Sequence, residues 1–413
     1  MNMRTNISLE EALDILLKEN KQTEPIHVPL LDSLGSVLAE DILSDMNMPP
    51  FDKSPLDGYA VRAEDIQGAS QEIPVILQVI DFVPAGHVSS QKLEKGEAMR
   101  IMTGAKIPEG ADVVVGFEDT DFTEKEVRIY TPLCSNSNIS KLGEDMKIGD
   151  VVMKKGMLID APEIGILATL GKSFVQVYRK PRVAILSTGD ELVDIQQVLT
   201  DGKIRNSNSY TIAAQIKKIG AKPLMLGICD DGIEAIKEKL KAALSWADII
   251  ITTGGVSVGD CDLVKEAFQQ VGAEMLFWRV RMKPGTPIAV AKYENKLLFG
   301  LSGNPAAAYI TFEQFVRPIV LKKMGREKYK LMKVESVLES GFSKISNQNR
   351  FVRANTYYRD GKYYTQFPSK HSSGVLSSLS GTNSLFYIPA GTGPYKEGQK
   401  ITVQLLDYPE VLK

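Results

Sequence analysis

DIIITTGGVSVGD, residues 248–260, joins an unbroken apolar run to a loop of small residues. Ile249, Ile250 and Ile251 do not alternate with polar residues, as expected of a strand covered on both faces. The neighbours repeat the theme. RVAILS (182–187), KPLMLGI (222–228), EMLFWRV (274–280) and LLFGL (297–301) read as strands. Between them lie helical patterns. NSYTIAAQIKKIG is closed by Gly220, and GIEAIKEKLKAALSW places Ile233, Ile236, Leu240 and Leu244 on one face. DLVKEAFQQVG is a third helix, and Asn304-Pro305 opens a last one as N-cap and first helical residue. Strands alternating with helices predict a mostly parallel, three-layer α/β domain.

The flanks differ. Ser8-Leu9-Glu10-Glu11 is a capping box, followed by Leu9, Leu13, Leu16 and Leu17 at helical spacing. Residues 71–133 carry short β-rich runs (IPVILQVI, AMRIMTG, DVVVGF, EVRIYTP), an all-β module between two mixed segments. PEIGILATLG (162–171) reads as helical. Beyond about residue 330, FVRANTYYR, KYYTQF, SLFYIP and KITVQLL predict a small barrel or sandwich.

The chain has 413 residues, so two to four domains are expected. A hydrophobic content of 43% with 24% charged residues fits a globular enzyme. The net charge of −2 offers no global field for nucleic acid or membrane. The first twenty residues do not read as a signal peptide, and no apolar run reaches membrane-spanning length. Cys134, Cys229 and Cys261 are far apart and odd in number, which favours a reducing, cytoplasmic setting. His27, His87 and His371 stand alone, which disfavours a His/Cys zinc site.

Open parallel sheets bind ligands beyond the carboxyl ends of their strands. Five polar or glycine-rich loops fall there: Thr188-Gly189-Asp190-Glu191, Asp230-Asp231, the 253–262 loop, Arg281 to Gly285, and Ser302-Gly303-Asn304-Pro305. The glycine loop suits an anion but lacks the Lys-Ser/Thr of a nucleotide-hydrolysing loop. Arg279, Arg281 and Lys283 alternate, which predicts one cationic face. Glu191, Asp231 and Asp262 are oxygen-only ligands, the chemistry of Mg²⁺. Cys261 has no base in prospect and is set aside as a nucleophile. In SPLDGYAVRA (54–63), Asp57 reads either as a turn former or as a functional carboxylate.

TGDEL, ITTGGVSVGD, MKPGTP and GNPAA, with SPLDGYAVRA, RIMTGAKIPEGAD and GED at 143–145, resemble the molybdopterin molybdenumtransferase (MoeA) family, which includes the E domain of gephyrin. The likeness runs in order along nearly the whole chain. It implies a MoeA-like, multidomain α/β plus β fold: an elongated mixed domain (1–52 plus 139–179), an inserted β domain (53–138), the α/β domain (180–328) and a C-terminal β-barrel (329–413). It implies insertion of molybdenum from molybdate into adenylylated molybdopterin, with Mg²⁺ and release of AMP. It further implies a homodimer whose active site draws the inserted region from the other subunit, and transient contact with the molybdopterin-supplying enzyme.

Carried over residue by residue, the resemblance assigns catalysis to Asp57, Thr103, Asp145, Glu191, Asp231 and Asp262. Substrate binding falls to Thr188, Gly189, Gly254, Gly255, Ser257, Arg279, Lys283, Ser302, Asn304 and Pro305. Lys283, Arg353 and Ser373 are assigned to molybdate, and Glu191, Asp231 and Asp262 to the metal. Two residues depart from the family pattern: Arg279 stands for a lysine and Ser302 for a proline. Two other readings stand beside this one. An adenylyltransferase would share the α/β domain but would not need the inserted and C-terminal β parts. A gephyrin-like scaffold would not need the acids and Lys283.

Overall fold

The computed structural model describes residues 3–255, 263–368, 372–408 and 410–411. Ser257, Cys261, Asp262 and His371 lie outside them. Two compact units result. One comprises Met1–Ala39, Gly156–Ile164 and Phe174–Lys413; the other comprises Glu40–Lys155 and Gly165–Ser173.

In the first unit the Ile249–Thr253 strand is buried throughout, as its unbroken apolar run requires. It sits inside a seven-stranded sheet. The order is Arg4–Ile7, Glu274–Val280, Ala289–Tyr293, Lys296–Leu301, Ile249–Thr253, Arg182–Thr188, Lys222–Cys229. Ala289–Tyr293 is antiparallel to both of its neighbours, and the other six strands run one way. The strands split their side chains between two cores. Val183, Ile185, Ile249 and Ile251 join one cluster, while Ala184, Leu186 and Ile250 join the other. That is the period of two expected of a sheet with helices on both faces.

Helix Asn208–Lys218 and the run from Pro305 to Lys323 cover the first face through Ile212, Ile216, Ile310 and Phe315. Helices Ile233–Leu244 and Leu263–Gln270 cover the second through Ile236, Leu240 and Phe268. Gly220, at a φ of 86°, ends its helix as expected. Ser8 caps its helix, with the Glu11 N–H donating to Ser8 Oγ at 3.0 Å, while the Glu11 carboxylate accepts from Arg4 Nη1 at 3.3 Å. Its helix, Leu9–Glu19, and the strand before it belong to the α/β sheet: Ala12 and Leu16 share a core with Val183, and Arg4 is in register with Phe277.

The C-terminal strands close on themselves. Asn349–Arg359, Lys362–Gln366, Met332–Leu338, Lys400–Leu405 and Ser384–Ile388 pair in a ring, so the barrel reading holds over the sandwich. Phe386, Val403, Leu338 and Val352 fill it. A short strand, Met282–Lys283, leaves the α/β domain and pairs in parallel with the barrel, setting Lys283 beside Arg350.

The second unit carries a six-stranded sheet, ordered Val113–Gly116, Gly58–Val61, Glu97–Ile101, Val75–Val83, Glu126–Ile129, Thr120–Phe122. Here the stretch around Asp57, read from sequence as a turn, continues directly into a fully buried strand. Gly58 is required there, since a Cβ would fall 2.0 Å from the Val115 carbonyl oxygen of the next strand.

Candidate active site

The parallel strands end at one edge, and charge is sorted along it. Beyond Glu274–Val280 and Lys296–Leu301, against the barrel strand Asn349–Arg359, lies a cleft of about 730 Å³. Lys283, Ser302, Asn304, Arg353 and Ser373, all singled out from sequence, line it together. Backbone bonds hold them in place. Ala306, in the first turn of helix Pro305–Thr311, donates its N–H to the Ser373 carbonyl at 3.1 Å. The Asn304 N–H donates to Ser302 Oγ at 3.2 Å, and Asn208 Nδ2 donates to the Gly303 carbonyl at 2.8 Å.

Arg353 is only 2% exposed. Its guanidinium donates from Nη2 to the Ser372 carbonyl at 3.0 Å, and Nε is buried without a partner among the described residues. Burial pulls its guanidinium below the usual arginine range. Such a group calls for an anion. Lys344 and Arg350 also line the cleft, and no carboxylate among the described residues does. These two cations were not legible in the sequence, because the pairing of Met282–Lys283 with Asn349–Arg350 is a contact between domains distant along the chain.

The expected single face of Arg279, Arg281 and Lys283 does not form. The strand ends at Val280, and Arg279 has a φ of 65°, which breaks the pleat. Arg279 lies over the Trp278 ring at 4.8 Å, and Arg281 donates to the Asn6 carbonyl at 3.1 Å. Among these three cations, Lys283 alone lines the cleft.

Next along the edge comes the glycine turn. Gly254 and Gly255 have φ of 96° and 63°. A Cβ on Gly254 would lie 2.2 Å from the Thr188 carbonyl oxygen, and one on Gly255 would lie 3.0 Å from Thr188 Oγ1. The glycines let this turn press against the end of the adjacent strand. Thr188 Oγ1 is buried there without a partner among the described residues. Beneath it, Ser187, Asn206, Ser209 and Thr253 form a buried polar cluster, with Ser187 Oγ 2.6 Å from Ser209 Oγ and 3.0 Å from Thr253 Oγ1.

The far end of the edge is acidic. The Asp231 N–H donates to Asp190 Oδ1 at 3.0 Å. The Asp231 carboxyl is pushed above the ordinary aspartate value, first by desolvation and then by the charges of Asp190, Glu191 and Asp230, with the Asp190 backbone opposing them. Glu191 folds back over Gly189, its Oε2 2.5 Å from where a Cβ would stand. The sequence reading chose Glu191 and Asp231; Asp190 belongs with them. Among the described residues, no group of three or more His, Cys, Asp or Glu is gathered as a metal site. The third expected ligand, Asp262, lies outside the described residues, as does Ser257. The acids among the described residues offer oxygen donors only, the donor chemistry of a hard cation.

In the other unit, Thr103 donates both its N–H and its hydroxyl to Asp57 Oδ1, each at 2.7 Å. Those bonds, with a smaller contribution from Arg100, hold the Asp57 carboxyl below the usual range. Asp145 is exposed, and its N–H donates to the Met48 carbonyl at 2.9 Å.

Three family models match in order along the chain: the MoeA N-terminal region (domain I and II) over residues 7–171, a probable molybdopterin binding domain over 184–322, and the MoeA C-terminal region (domain IV) over 335–406. The molybdopterin molybdenumtransferase of Staphylococcus epidermidis is 42% identical over 406 residues, covering 98% of this chain and 96% of that protein. The chain belongs to the MoeA family of molybdopterin molybdenumtransferases. The Bacillus subtilis member is also 42% identical, over 410 residues, covering 98% of this chain and 95% of that protein. A solved MoeA structure from Pyrococcus horikoshii superposes with a TM-score of 0.84 at 31% identity, covering 98% of this chain and all of that one. The fold is therefore MoeA-like, and the chain is an enzyme of molybdenum cofactor biosynthesis. The adenylyltransferase alternative does not account for matches to the N- and C-terminal MoeA regions. No helix among the described residues is long and apolar enough to cross a membrane.

Proposed function

We propose that the chain inserts molybdenum from molybdate into adenylylated molybdopterin and releases AMP in a Mg²⁺-dependent reaction. The observation that carries this is the sorting of charge along one sheet edge among the described residues, from a cleft lined by cations to loops with four acids, Asp190, Glu191, Asp230 and Asp231. The strands Lys296–Leu301 and Lys222–Cys229 are three spacings apart. At ~4.8 Å per spacing, the edge spans about 14 Å. That reach suits an extended ligand with an oxyanion at one end and a pyrophosphate with its cation at the other.

In this reading Lys283, Arg353 and Ser373 hold molybdate, a dianion matched by a guanidinium fork and a point charge. Thr188, Gly189, Gly254, Gly255, Ser257, Ser302, Asn304 and Pro305 line the path of the nucleotide and pterin, and Arg279 adds charge beside it. Glu191, Asp231 and Asp262 would hold Mg²⁺, which would neutralise charge on the phosphates. Asp57, Thr103 and Asp145 act from the other subunit of a homodimer in the cytoplasm, and the substrate arrives from the molybdopterin-supplying enzyme. The test is direct: adenylylated molybdopterin, molybdate and Mg²⁺ are supplied and AMP is measured. No molybdate-dependent AMP release would overturn the reading.

A further inference from the structure

The second unit holds an arginine by its flat face. Arg100 is in register with Tyr59 on one neighbouring strand and with Phe82 on the other, so the three side chains share one side of the sheet. Its Cζ lies 5.3 Å from the ring centres of Phe82 and Phe117 and 5.6 Å from that of Phe122. Tyr59, Phe117 and Phe122 pack on one another at 5.4 to 5.8 Å. Rings fix a guanidinium by its face and leave its N–H groups in need of an acceptor. Nε is buried without one among the described residues.

An acceptor and a platform stand beside it. Asp57 comes two residues before Tyr59, which the strand period keeps on the same side. Arg100 is near enough to contribute to holding the Asp57 carboxyl ionised. Thr103 donates twice to Oδ1, which leaves Oδ2 to accept. Phe82 and Phe122 are 51% and 49% exposed, so ring surface is open to solvent next to both charges.

We infer that Asp57, Arg100, Phe82 and Phe122 bind a planar heterocycle by its lactam edge, an N–H beside a ring carbonyl. The N–H donates to Asp57 Oδ2, the carbonyl accepts from Arg100, and the ring lies against an exposed phenylalanine. Pterin and guanine both carry this edge, and adenine does not. The ligand is the pterin of the substrate or a guanine nucleoside. The first source rests on the proposed function; the reading of the edge rests on this face of the second unit.

The experiment titrates 6-hydroxymethylpterin, which is fluorescent, into the full chain and follows its anisotropy. Saturable binding is expected. Asp57→Asn keeps the shape and the bonds from Thr103 but replaces the free acceptor by a donor, and should weaken the pterin by about tenfold or more. Phe82→Leu should weaken it by about threefold or more. Phe82 is half exposed, so this variant empties no core and reads the platform even where a change at Asp57 disturbs its turn. Pterin binding that neither variant alters overturns the inference, as does the absence of saturable binding.

Displacement of the bound pterin separates the sources. Guanosine that displaces it only at higher concentration than free pterin assigns the face to the pterin; guanosine that displaces it as well or better assigns it to a guanine nucleoside. Adenosine as effective as guanosine overturns the reading of a lactam edge. A chain that releases AMP but binds pterin without regard to Asp57 and Phe82 overturns this inference alone. One that binds pterin through them but releases no AMP supports it and overturns the proposed function.

Discussion

Asp57 and Thr103 are joined by two hydrogen bonds to one oxygen: the backbone N–H and the hydroxyl of Thr103 both reach Oδ1 at 2.7 Å. Oδ2 takes no part in this clamp. Asp57 is thus an oriented, ionised carboxylate placed just before a fully buried strand. Asn at position 57 can accept the same two bonds, so Asp57→Asn separates charge from shape. Turnover is expected to fall by roughly 10²-fold, the usual scale for loss of a proton-transferring or charge-bearing group, with the thermal midpoint unchanged. Full activity in Asp57→Asn would leave Asp57 as a turn former only.

The same clamp sets a pH dependence. A carboxyl held below its unfolded value stabilises the fold above that value, and the contribution is lost as pH falls through the depressed one. Thr103→Val removes the hydroxyl donor and keeps the N–H. The Asp57 carboxyl should then titrate nearer the ordinary aspartate value, as read by carbon-detected NMR against pH. No upward shift in the variant would show that the hydroxyl bond is not made in solution.

Arg353→Ala removes a buried guanidinium from the cleft. A charge-assisted hydrogen bond contributes about 1.5–3 kcal/mol, so the KM for molybdate should rise by roughly 10- to 150-fold. Nucleotide binding, assigned to the opposite end of the edge, should change little. Steady-state kinetics in molybdate, paired with equilibrium binding of AMP, reads both. Equal loss of the two would argue against a separate oxyanion pocket.

Asp231 is raised where Asp57 is lowered, so its sign is opposite. A carboxyl whose folded value lies above the unfolded one costs stability once it ionises, here through burial first and then through repulsion from Asp190, Glu191 and Asp230. Asp231→Asn should therefore raise the thermal midpoint of the metal-free protein at neutral pH and weaken its Mg²⁺ dependence. Melting curves with and without Mg²⁺ test this. A lower midpoint in the metal-free variant would contradict the cost assigned to the ionised Asp231 carboxyl.

Gly254→Ala places a Cβ against the Thr188 carbonyl oxygen in a backbone conformation that disfavours it. Strain of this kind costs about 1–3 kcal/mol, a drop of several degrees in thermal midpoint. Gly35→Ala makes the control: its φ is also positive, at 72°, but nothing stands within 4 Å of its Cβ. Equal destabilisation of both would show that backbone conformation, not the close approach, governs the glycine turn.

Local patterns carried much of this protein. The run Ile249-Ile250-Ile251 announces a strand buried on both faces, and the structure divides those three residues between two cores. Ser8 and Glu11 mark a helix start, and Gly220 marks a helix end, because capping is settled within a few residues. The loops after successive strands converge on one edge because parallel strands connected through helices leave them no other place. Lys283, Ser302 and Asn304 could therefore be grouped from sequence alone.

Other features depend on partners far along the chain. Alternation suggested that Arg279, Arg281 and Lys283 share a face, but a left-handed residue at 279 and a crossing of Lys283 into the barrel broke the pattern. Lys344 and Arg350 carry no local mark; they become part of the cleft only when the barrel closes beside the α/β sheet. Asp190 looks like any loop acid until the second strand's loop brings the Asp231 N–H to it. Elements and their order follow from side-chain periodicity and capping, which act over a few residues. Which charges face one another follows from packing and strand register, and these are set between segments that the chain keeps apart.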